Sequence, residues 1–535
     1  MTRTVEEIGR GLEPSREARP IVAGERIHVI GAAGSAAAAS LLLGHAAGAR
    51  MSGCDAGEPS AYSQGVEAAG IPITWHHSAR HVVDADGRPE VDRIAVSKAL
   101  TSVNPDHPEL LAAHAAGIPA TSCQQLIADA AATFGGTLLA VAGTHGKSTT
   151  TGWLVHLLSR AGHDPSAFVG ALLPAELAGG DAPAVVRIGH GGPAGRSFVV
   201  EADEYAGNFD PYRPAIGVLL NADWDHPDVF PDRAAVVDTF EAWIRCFPAG
   251  STLVANAADP GVVTLLPRLV DWPGRILATA LAADGADPAN LATELRAGIR
   301  SAAGPAAALT ATYHAAANGE AHLVVFGLGS EGTRKVDLQL VGRHNAANAL
   351  GAAGAALAFG LEPAEVAAGL ASFEGVGRRF ELKGDVGGIV VLDDYGHHPT
   401  AIAATLEAVK LRYPGRRRWA IYEPLTFHRT AALLEQFAEI LATADRVAIA
   451  DIFAVRDPDR TIVSAADLAR AVERRGTAAI APGSVEGTAD AVLPLLEPGD
   501  VVLVMGGGRS TVIAERLVAG LRAQSRPKAG EYQPQ

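Results

Sequence analysis

The sequence contains few cysteines and few aromatic residues, and both shortages exclude classes of protein. Its three cysteines, Cys54, Cys123 and Cys246, are widely separated, so no C-x-x-C pair is present to bind zinc or form a redox disulfide. Aromatic residues make up only 5% of the chain, which provides little surface for stacking on nucleic-acid bases. The cysteine usage predicts a protein of a reducing compartment.

The sequence also lacks long apolar runs and blocks of basic residues. No apolar run reaches the roughly 18 residues that a membrane span requires, and the polar N-terminus has no apolar signal segment. The formal net charge is −15, so neither nucleic acid nor an anionic membrane is an expected partner. These absences predict a cytoplasmic protein without membrane insertion. The polar tail from Ala523 to Gln535 is expected to fray.

Length and composition predict an α/β protein of several domains. A chain of 535 residues is too long for one hydrophobic core, and its 48% hydrophobic content consists largely of Ala, Val and Leu. Strand and helix patterns alternate in three segments, which we place at residues 21–135, 136–373 and 374–525. Residues 277–332 are rich in Ala and Gly with weak periodicity, and we expect them to be peripheral and without chemistry.

The most informative stretch is TLLAVAGTHGKSTTT at residues 137–151. An apolar strand is predicted at 137–142, and it is followed by Gly143 and Gly146, which allow backbone N–H groups to turn inward around phosphate. Lys147 can neutralise phosphate oxygens from a solvent-facing loop, and Ser148 can offer a hydroxyl to Mg²⁺. Val141 stands where the common Walker pattern has glycine, so the loop is a spacing variant. The alternative is a tight strand-to-helix turn without a ligand.

A β-α-β unit is predicted near the N-terminus, from the strand RIHVI to a second strand that ends at Asp55. Its loop, Gly31 to Gly34, does not match the dinucleotide fingerprint, because alanine occupies positions 33 and 36. Binding of a diphosphate at the helix N-terminus stays possible. Ordinary turn and cap residues are the alternative for this loop.

Polar residues follow two of the predicted central strands. Glu201 lies at the end of the strand SFVVEA. His226 follows the strand predicted at 215–221. Because ligands gather at the carboxyl ends of parallel strands, Glu201, His226 and Ser148 are candidate Mg²⁺ ligands. Zinc is disfavoured because no thiolates accompany them. Taken singly, Glu201 could instead be a surface acid or a helix cap, and His226 a loop histidine.

Six motifs in order resemble those of the Mur ligases of peptidoglycan synthesis. They are Gly143-Thr144-His145-Gly146-Lys147-Ser148-Thr149, Glu201-Ala-Asp-Glu-Tyr205, Asn221-Ala-Asp-Trp-Asp-His226, His344-Asn345-Ala-Ala-Asn348, Arg378-Arg379-Phe380-Glu381 and Asp393-Asp-Tyr-Gly-His-His-Pro399. The last motif most resembles that of the ligases that join L-alanine to UDP-N-acetylmuramate. The resemblance covers the chain from about Arg26 to its end.

The resemblance implies a fold and a reaction. Rossmann-like N-terminal and C-terminal domains would flank a central P-loop ATPase domain with a mostly parallel sheet. The enzyme would use ATP and Mg²⁺ to phosphorylate the carboxylate of UDP-N-acetylmuramate, and the amine of an amino acid, preferably L-alanine, would attack the acyl phosphate. It would act in the cytoplasm as a monomer or homodimer.

The resemblance also implies roles for particular residues. The catalytic residues would be Lys147, Glu201, His226 and Arg379. The nucleotide would contact Gly143, Thr144, His145, Gly146, Lys147, Ser148, Thr149, Asn345, Asn348, Arg379 and Asp394. Metal would be held by Ser148, Glu201 and His226. The UDP-sugar and the amine would contact Gly31, Gly34, Asp55, His77, Asn104, His344, His397, His398 and Arg429.

One departure leaves the amine substrate open. Leu425 and Thr426 occupy positions where L-alanine ligases typically carry a His-Arg pair, although Arg429 is kept. The run around Arg429 and the string DIFAVRD at 451–457 favour L-alanine. Residues 226–232 and Glu423-Pro424 favour the ligases that recycle a murein tripeptide onto the same UDP-sugar.

Two further classes of protein share single features with this sequence. An ATP-hydrolysing switch or assembly protein would need the loop but no amine, and the ligase-like Arg379 and Asp394 argue against it. An NAD oxidoreductase would rest only on the N-terminal β-α-β unit. The string Gly506-Gly507-Gly508 is either an anion cradle or a tight strand-to-helix turn.

Overall fold

A computed structural model describes residues 2–525 except 194, 317–319, 329–331, 455, 456 and 458. The last ten residues of the tail and part of the string at 451–457 therefore lie outside the described residues. The chain divides into two units, residues 1–314 with 321–377, and residues 315–320 with 378–535. The first unit contains two large sheets and the second contains one.

The N-terminal sheet has five parallel strands in the order β3-β2-β1-β4-β5. The predicted β-α-β unit is confirmed. The strands are β1 (Arg26–Ile30), β2 (Arg50–Cys54), β3 (Ile73–Thr74), β4 (Arg93–Val96) and β5 (Ala120–Ser122). The helices are α1 (Val5–Ile8), α2 (Ser35–Ala46), α3 (Ser63–Ala68), α4 (Lys98–Thr101), α5 (Pro108–Ala115) and α6 (Cys123–Phe134), with a 3₁₀ turn at Ala79–His81.

The central sheet has ten strands in the order β17-β16-β15-β12-β11-β10-β6-β9-β7-β8, and a separate two-stranded ribbon pairs β13 with β14. The strands are β6 (Thr137–Ala142), β7 (Ser166–Leu173), β8 (Ala184–Arg187), β9 (Ser197–Ala202), β10 (Ile216–Leu219), β11 (Thr252–Asn256), β12 (Arg275–Leu281), β13 (Arg300–Ser301), β14 (Gly304–Pro305), β15 (Ala307–Ala315), β16 (Ala321–Phe326) and β17 (Thr333–Leu338). The helices are α7 (Lys147–Arg160), α8 (Ala175–Ala178), α9 (Arg233–Arg245), α10 (Pro260–Leu265), α11 (Pro288–Gly298), α12 (Arg343–Phe359) and α13 (Pro363–Ser372).

The predicted parallel order holds in the middle of this sheet, where β12, β11, β10, β6, β9 and β7 are successive parallel neighbours. The pairs β7–β8 and β16–β17 are antiparallel. Helix α12 covers the sheet closely because glycines face it: a Cβ at Gly351 would lie 2.9 Å from Leu220, and one at Gly354 would lie 2.7 Å from Val254. Small residues therefore fix the distance between α12 and the sheet.

The segment at 277–332 is more ordered than its composition predicted. It provides strands β15 and β16 and most of β12, which form one end of the ten-stranded sheet. The expected peripheral position is correct, because these strands lie on one side of the sheet. Alanine and glycine hid the strands, since neither residue has a strong strand preference.

The second unit has a six-stranded sheet in the order β18-β19-β23-β20-β21-β22, in which only β18 is antiparallel to its neighbour among the described pairs. The predicted doubly wound alternation is confirmed. The strands are β18 (Glu381–Val386), β19 (Ile389–Asp394), β20 (Arg418–Glu423), β21 (Arg446–Ala450), β22 (Ala479–Gly483) and β23 (Val501–Gly506). The helices are α14 (Pro399–Arg412), α15 (Phe427–Ala432), α16 (Leu434–Leu441), α17 (Ala465–Glu473), α18 (Val485–Val492) and α19 (Thr511–Ser525).

No helix among the described residues combines the length and the apolar composition needed to cross a bilayer.

Candidate active site

The loop between β6 and α7 has the backbone geometry that phosphate binding requires. Gly146 caps α7 in the left-handed conformation, with φ of 83°, and as a glycine it has no side chain that could cap the helix N-terminus. A Cβ at Gly146 would lie 2.5 Å from Oδ1 of Asn348, so any larger residue would clash. The N-terminus of this 14-residue helix follows a glycine-rich loop, an arrangement that suits an anion.

Lys147 is more enclosed than the sequence predicted. Its side chain is only 12% exposed, so the expectation of a solvent-facing lysine is wrong. Nζ donates hydrogen bonds to the carbonyl oxygen of Gly143 at 2.7 Å and to Glu204 at 2.9 Å. Burial opposes the charge, but the carboxylates of Glu204 and Asp203 outweigh it and raise the pKa of Lys147.

Three carboxylates, those of Glu201, Asp203 and Glu204, act on the charge of Lys147. Glu204 is buried, and the loss of hydration raises its pKa to about 7. Burial alone would also raise the pKa of Asp203, but the charges of Lys147 and His226 hold it below its usual value. The sequence motif contained Asp203 and Glu204, but its spacing assigned no role to them.

The candidate metal ligands fall into two groups in the structure. The Ser148 hydroxyl is 3.1 Å from Oε1 of Glu201, whose other oxygen accepts the Gly170 N–H at 2.7 Å. His226 instead groups with Asp203 and Glu204, and one potential ligand atom from each of these three lies within 4.8 Å of the others.

This cluster fits a divalent cation. The Oε1 atom of Glu204 is buried and has no hydrogen-bond partner among the described residues. One lysine cannot balance the charges of Glu201, Asp203 and Glu204, and oxygen ligands are those that Mg²⁺ prefers. The residues present are therefore suited to Mg²⁺ beside a phosphate loop.

The segment after β10 holds the phosphate loop in place. The Asn221 amide accepts from the His145 N–H and donates to the His145 carbonyl oxygen, both at 3.0 Å. Thr144 exchanges a similar pair of bonds with the backbone of Asp223. The sequence showed Asn221 in a motif but gave no sign of this contact, which depends on β10 lying beside β6.

The residues at the start of α12 have different roles in the structure. Asn348 lies against Gly146 of the phosphate loop: a Cβ added at Gly146 would lie only 2.5 Å from Oδ1 of Asn348. The Asn345 amide donates to the Val341 carbonyl oxygen at 2.9 Å, within its own turn. Burial lowers the pKa of His344 to about 4, so this imidazole is neutral at physiological pH.

Three of the N-terminal residues assigned to the UDP-sugar, Gly31, Gly34 and Asp55, lie at the β1–α2 loop. Gly31 has φ of 91°, and its N–H donates to the Cys54 carbonyl oxygen. Asp55 accepts the Ala33 N–H at 2.9 Å, and Gly34 caps α2 without a side-chain bond to the helix. His77 lies apart from this loop and contacts Cys54 and Glu109, whereas Asn104 is exposed.

In the second unit, Asp394 is held by backbone donors. It accepts the N–H groups of Phe380 at 2.9 Å and Gly396 at 2.8 Å. Burial raises its pKa, and the charge of Arg379 opposes that rise. The Arg379 guanidinium lies 5.0 Å from the ring centre of Tyr395.

The remaining candidate residues of this unit also have structural contacts. Nδ1 of His398 accepts the Thr400 N–H and caps α14, while Nδ1 of His397 lies 3.0 Å from the Tyr395 carbonyl oxygen. Arg429 on α15 is only 1% exposed. Thr426, one of the two departures from the basic pair, caps α15 at a positive φ of 62°.

The glycines at 506–508 form a tight turn. A Cβ at Gly507 would lie 2.8 Å from Leu425, and one at Gly508 would lie 2.7 Å from Phe453. The Gly506 carbonyl oxygen accepts from Arg378 at 2.9 Å. These contacts favour the packing interpretation over an anion cradle.

Three family models match successive parts of the chain. The model of the Mur ligase family catalytic domain matches residues 26–135, and that of the Mur ligase middle domain matches residues 141–356. The model of the Mur ligase glutamate ligase domain matches residues 378–508.

Whole-chain relatives agree with these matches. The UDP-N-acetylmuramate–L-alanine ligase of Frankia casuarinae is 34% identical over 93% of this chain and 98% of its own. The structure of the UDP-N-acetylmuramate–alanine ligase of Thermotoga maritima shares the fold, with a TM-score of 0.72 at 21% identity over 94% of this chain and 100% of that one. A murein peptide ligase of Psychrobacter arcticus has a TM-score of 0.66 at 25% identity, covering 93% of this chain and 99% of that one. The chain belongs to the Mur ligase family.

Proposed function

We propose that this protein is an ATP-dependent ligase that joins L-alanine to the carboxylate of UDP-N-acetylmuramate in peptidoglycan synthesis. The observation that carries the proposal is the 34% identity to a ligase of that name over 93% of the chain. The geometry of the phosphate loop supports it, because a helix N-terminus after a glycine-rich loop, an enclosed lysine and three carboxylates suit Mg-ATP.

The chain's own residues supply positioning and charge. Lys147 would neutralise phosphate oxygens, and its bonds to Gly143 and Glu204 hold the ammonium group in place beforehand. Asn221 and Thr144 keep the loop from shifting. The acyl phosphate, formed when the substrate carboxylate takes the γ-phosphoryl group, would react with the amine of L-alanine and release phosphate.

We propose that Ser148, Glu201 and His226 hold Mg²⁺, together with Asp203 and Glu204. Bound there, Mg²⁺ would offset the negative charge of the transferred phosphoryl group. The free Oε1 of Glu204 and the grouping of Asp203, Glu204 and His226 support this assignment.

The other assignments rest on the resemblance of the motifs. The nucleotide is proposed to contact Asn345, Asn348, Arg379 and Asp394, in addition to the phosphate loop. The substrates are proposed to contact Gly31, Gly34, Asp55, His77, Asn104, His344, His397, His398 and Arg429. The domain bounds 21–135, 136–373 and 374–525, a cytoplasmic location and a monomeric or homodimeric state are parts of the same proposal.

The test is a product assay with several amines. Purified protein, Mg-ATP and UDP-N-acetylmuramate are mixed with L-alanine, glycine, L-serine or the tripeptide, and the products are identified by mass. We expect the L-alanine adduct and stoichiometric ADP, with none from Lys147→Ala. Steady ATP hydrolysis without an adduct would exclude a ligase.

Tripeptide recycling is the second candidate, and the match to a murein peptide ligase favours it specifically. Leu425 and Thr426 are consistent with it, because they provide no basic donors for the α-carboxylate of a free amino acid. A tripeptide adduct formed in the absence of an L-alanine adduct would replace the first proposal by this one and keep the family.

A further inference from the structure

A cluster of potential metal ligands, three of them buried and His81 partly buried, lies around the N-terminal sheet. It consists of His28 in β1, Cys54 at the end of β2, His81 in the 3₁₀ turn after β3, and Glu109 in α5. One potential ligand atom from each residue lies within 4.8 Å of the others. Four separate elements therefore bring four potential ligands of three types, imidazole, thiol and carboxylate, to one point.

The shorter distances within the cluster centre on Glu109. The Cys54 sulfur is 3.2 Å from both carboxylate oxygens, and Nδ1 of His81 is 2.6 Å from Oε1. Ligands of a tetrahedral zinc ion lie about 3.3–3.8 Å from one another, as bond lengths of about 2.0–2.3 Å require. Small side-chain movements would bring the cluster to that geometry.

One ligand position of His28 is unused. Nδ1 of this imidazole lies 2.8 Å from the Ser52 hydroxyl, so Nε2 is the nitrogen left for a metal. Nε2 is buried and has no hydrogen-bond partner among the described residues, and His28 is 2% exposed. A buried polar atom without a partner is destabilising, and a bond to a metal would remove that cost.

The charges of the cluster also suit a cation. The Cys54 sulfur lies against both oxygens of the Glu109 carboxylate, so two groups that can carry negative charge are held in contact. A divalent cation would stabilise the thiolate and the carboxylate together, and the thiol proton would pass to solvent.

We propose that His28, Cys54, His81 and Glu109 form a structural zinc site. Thiolate and imidazole ligands favour zinc over Mg²⁺ or Ca²⁺, and four protein ligands leave no position for a reacting water. The sequence shows no C-x-x-C pair that could hold zinc, but folding brings other potential ligands to Cys54 from separate elements.

The site would stabilise the loop assigned to the UDP-sugar. The Cys54 carbonyl oxygen accepts hydrogen bonds from the N–H groups of Gly31 at 2.8 Å and Ala32 at 3.0 Å. A metal that fixes Cys54 would therefore fix the turn between β1 and α2. It would also join β1, β2, the 3₁₀ turn and α5. Because these elements separate when the domain unfolds, the metal would stabilise the folded state.

The experiment measures metal content, spectrum and melting of the full-length protein. Wild type, Cys54→Ala, His81→Ala and the control Cys123→Ala are purified from zinc-supplemented medium and analysed for metal. Cys123 is a matched control because it is also a buried free cysteine, but it lies in α6 outside the cluster. Metal-free samples are then titrated with Zn²⁺ and with Co²⁺ as a coloured substitute.

We expect about one zinc per chain in wild type and Cys123→Ala, and affinity weaker by about a hundredfold or more in the two ligand variants. Cobalt should give tetrahedral visible bands and a thiolate charge-transfer band, and zinc should raise the melting temperature. Zinc retained by both ligand variants would overturn the proposal. If those variants fail to fold, a wild-type cobalt complex without the thiolate band would overturn it.

Discussion

The ammonium group of Lys147 lies 2.9 Å from the carboxylate of Glu204, and both side chains are largely withdrawn from solvent. The pair joins the first residue of α7 to the segment after β9. Removing one member leaves the other charge buried without its partner, so the pair affects stability as well as catalysis.

The first prediction separates these two effects. Lys147→Ala should lower kcat roughly a hundredfold or more, because it removes a positioned cation from the phosphate loop. It should also lower the free energy of unfolding by about 1–3 kcal/mol, the cost of leaving the buried Glu204 carboxyl without its hydrogen-bond partner. Thermal melting and ATP turnover measure the two quantities.

The double variant Lys147→Ala/Glu204→Gln tests the cause. It should recover much of the melting temperature without recovering turnover, because the unpaired carboxylate is gone but the cation is still missing. Lys410→Ala, at a lysine whose side chain is 62% exposed, is the control and should change neither quantity. Normal kinetics in Lys147→Ala would exclude the phosphate-loop assignment.

A second prediction concerns Mg²⁺. Glu201→Gln, Asp203→Asn and His226→Ala should each raise the Mg²⁺ concentration for half-maximal activity by about tenfold or more, because each withdraws a ligand or its neighbour. The measurement is a Mg²⁺ titration at saturating nucleotide. Glu294→Gln, at an exposed position on α11, should behave as wild type. Unchanged titrations in all three variants would mean that these residues only stabilise the fold.

Local features were predicted well from the sequence, and long-range ones were not. The strand at Thr137–Ala142 was predicted to the residue, because an apolar run ends sharply at Gly143. The enclosure of Lys147 could not be predicted, since it depends on Glu204 being brought from 57 residues away. His81 and Glu109 likewise meet Cys54 only through the packing of α5 and the 3₁₀ turn against the sheet.

A third prediction concerns the support of the phosphate loop. Asn221→Ala should raise KM for ATP by about tenfold or more, because it removes two hydrogen bonds worth about 1 kcal/mol each from the His145 backbone. Asn256→Ala is the matched control: its amide also bonds to a neighbouring backbone, the Leu220 carbonyl oxygen, but it does not bond to the loop. Steady-state kinetics with varied ATP should show the change only in Asn221→Ala. An equal rise in KM for ATP in both variants would mean that the effect comes from disturbing the sheet and not from the phosphate loop.

The last prediction follows from the neutral imidazole of His344. Its pKa is lowered to about 4 in the folded protein from 6.5, so the unfolded chain binds more protons between these values. The stability that this group contributes is therefore present above pH 6.5 and is lost as the pH falls towards 4. The full loss is at most about 3 kcal/mol, because one pKa unit corresponds to about 1.4 kcal/mol. His344→Gln removes the titration, so its melting temperature should fall less than that of wild type between pH 7.5 and 5. His45→Gln, at an exposed position on α2, should follow the wild-type curve. Parallel curves for wild type and His344→Gln would show that His344 does not contribute to the acid sensitivity.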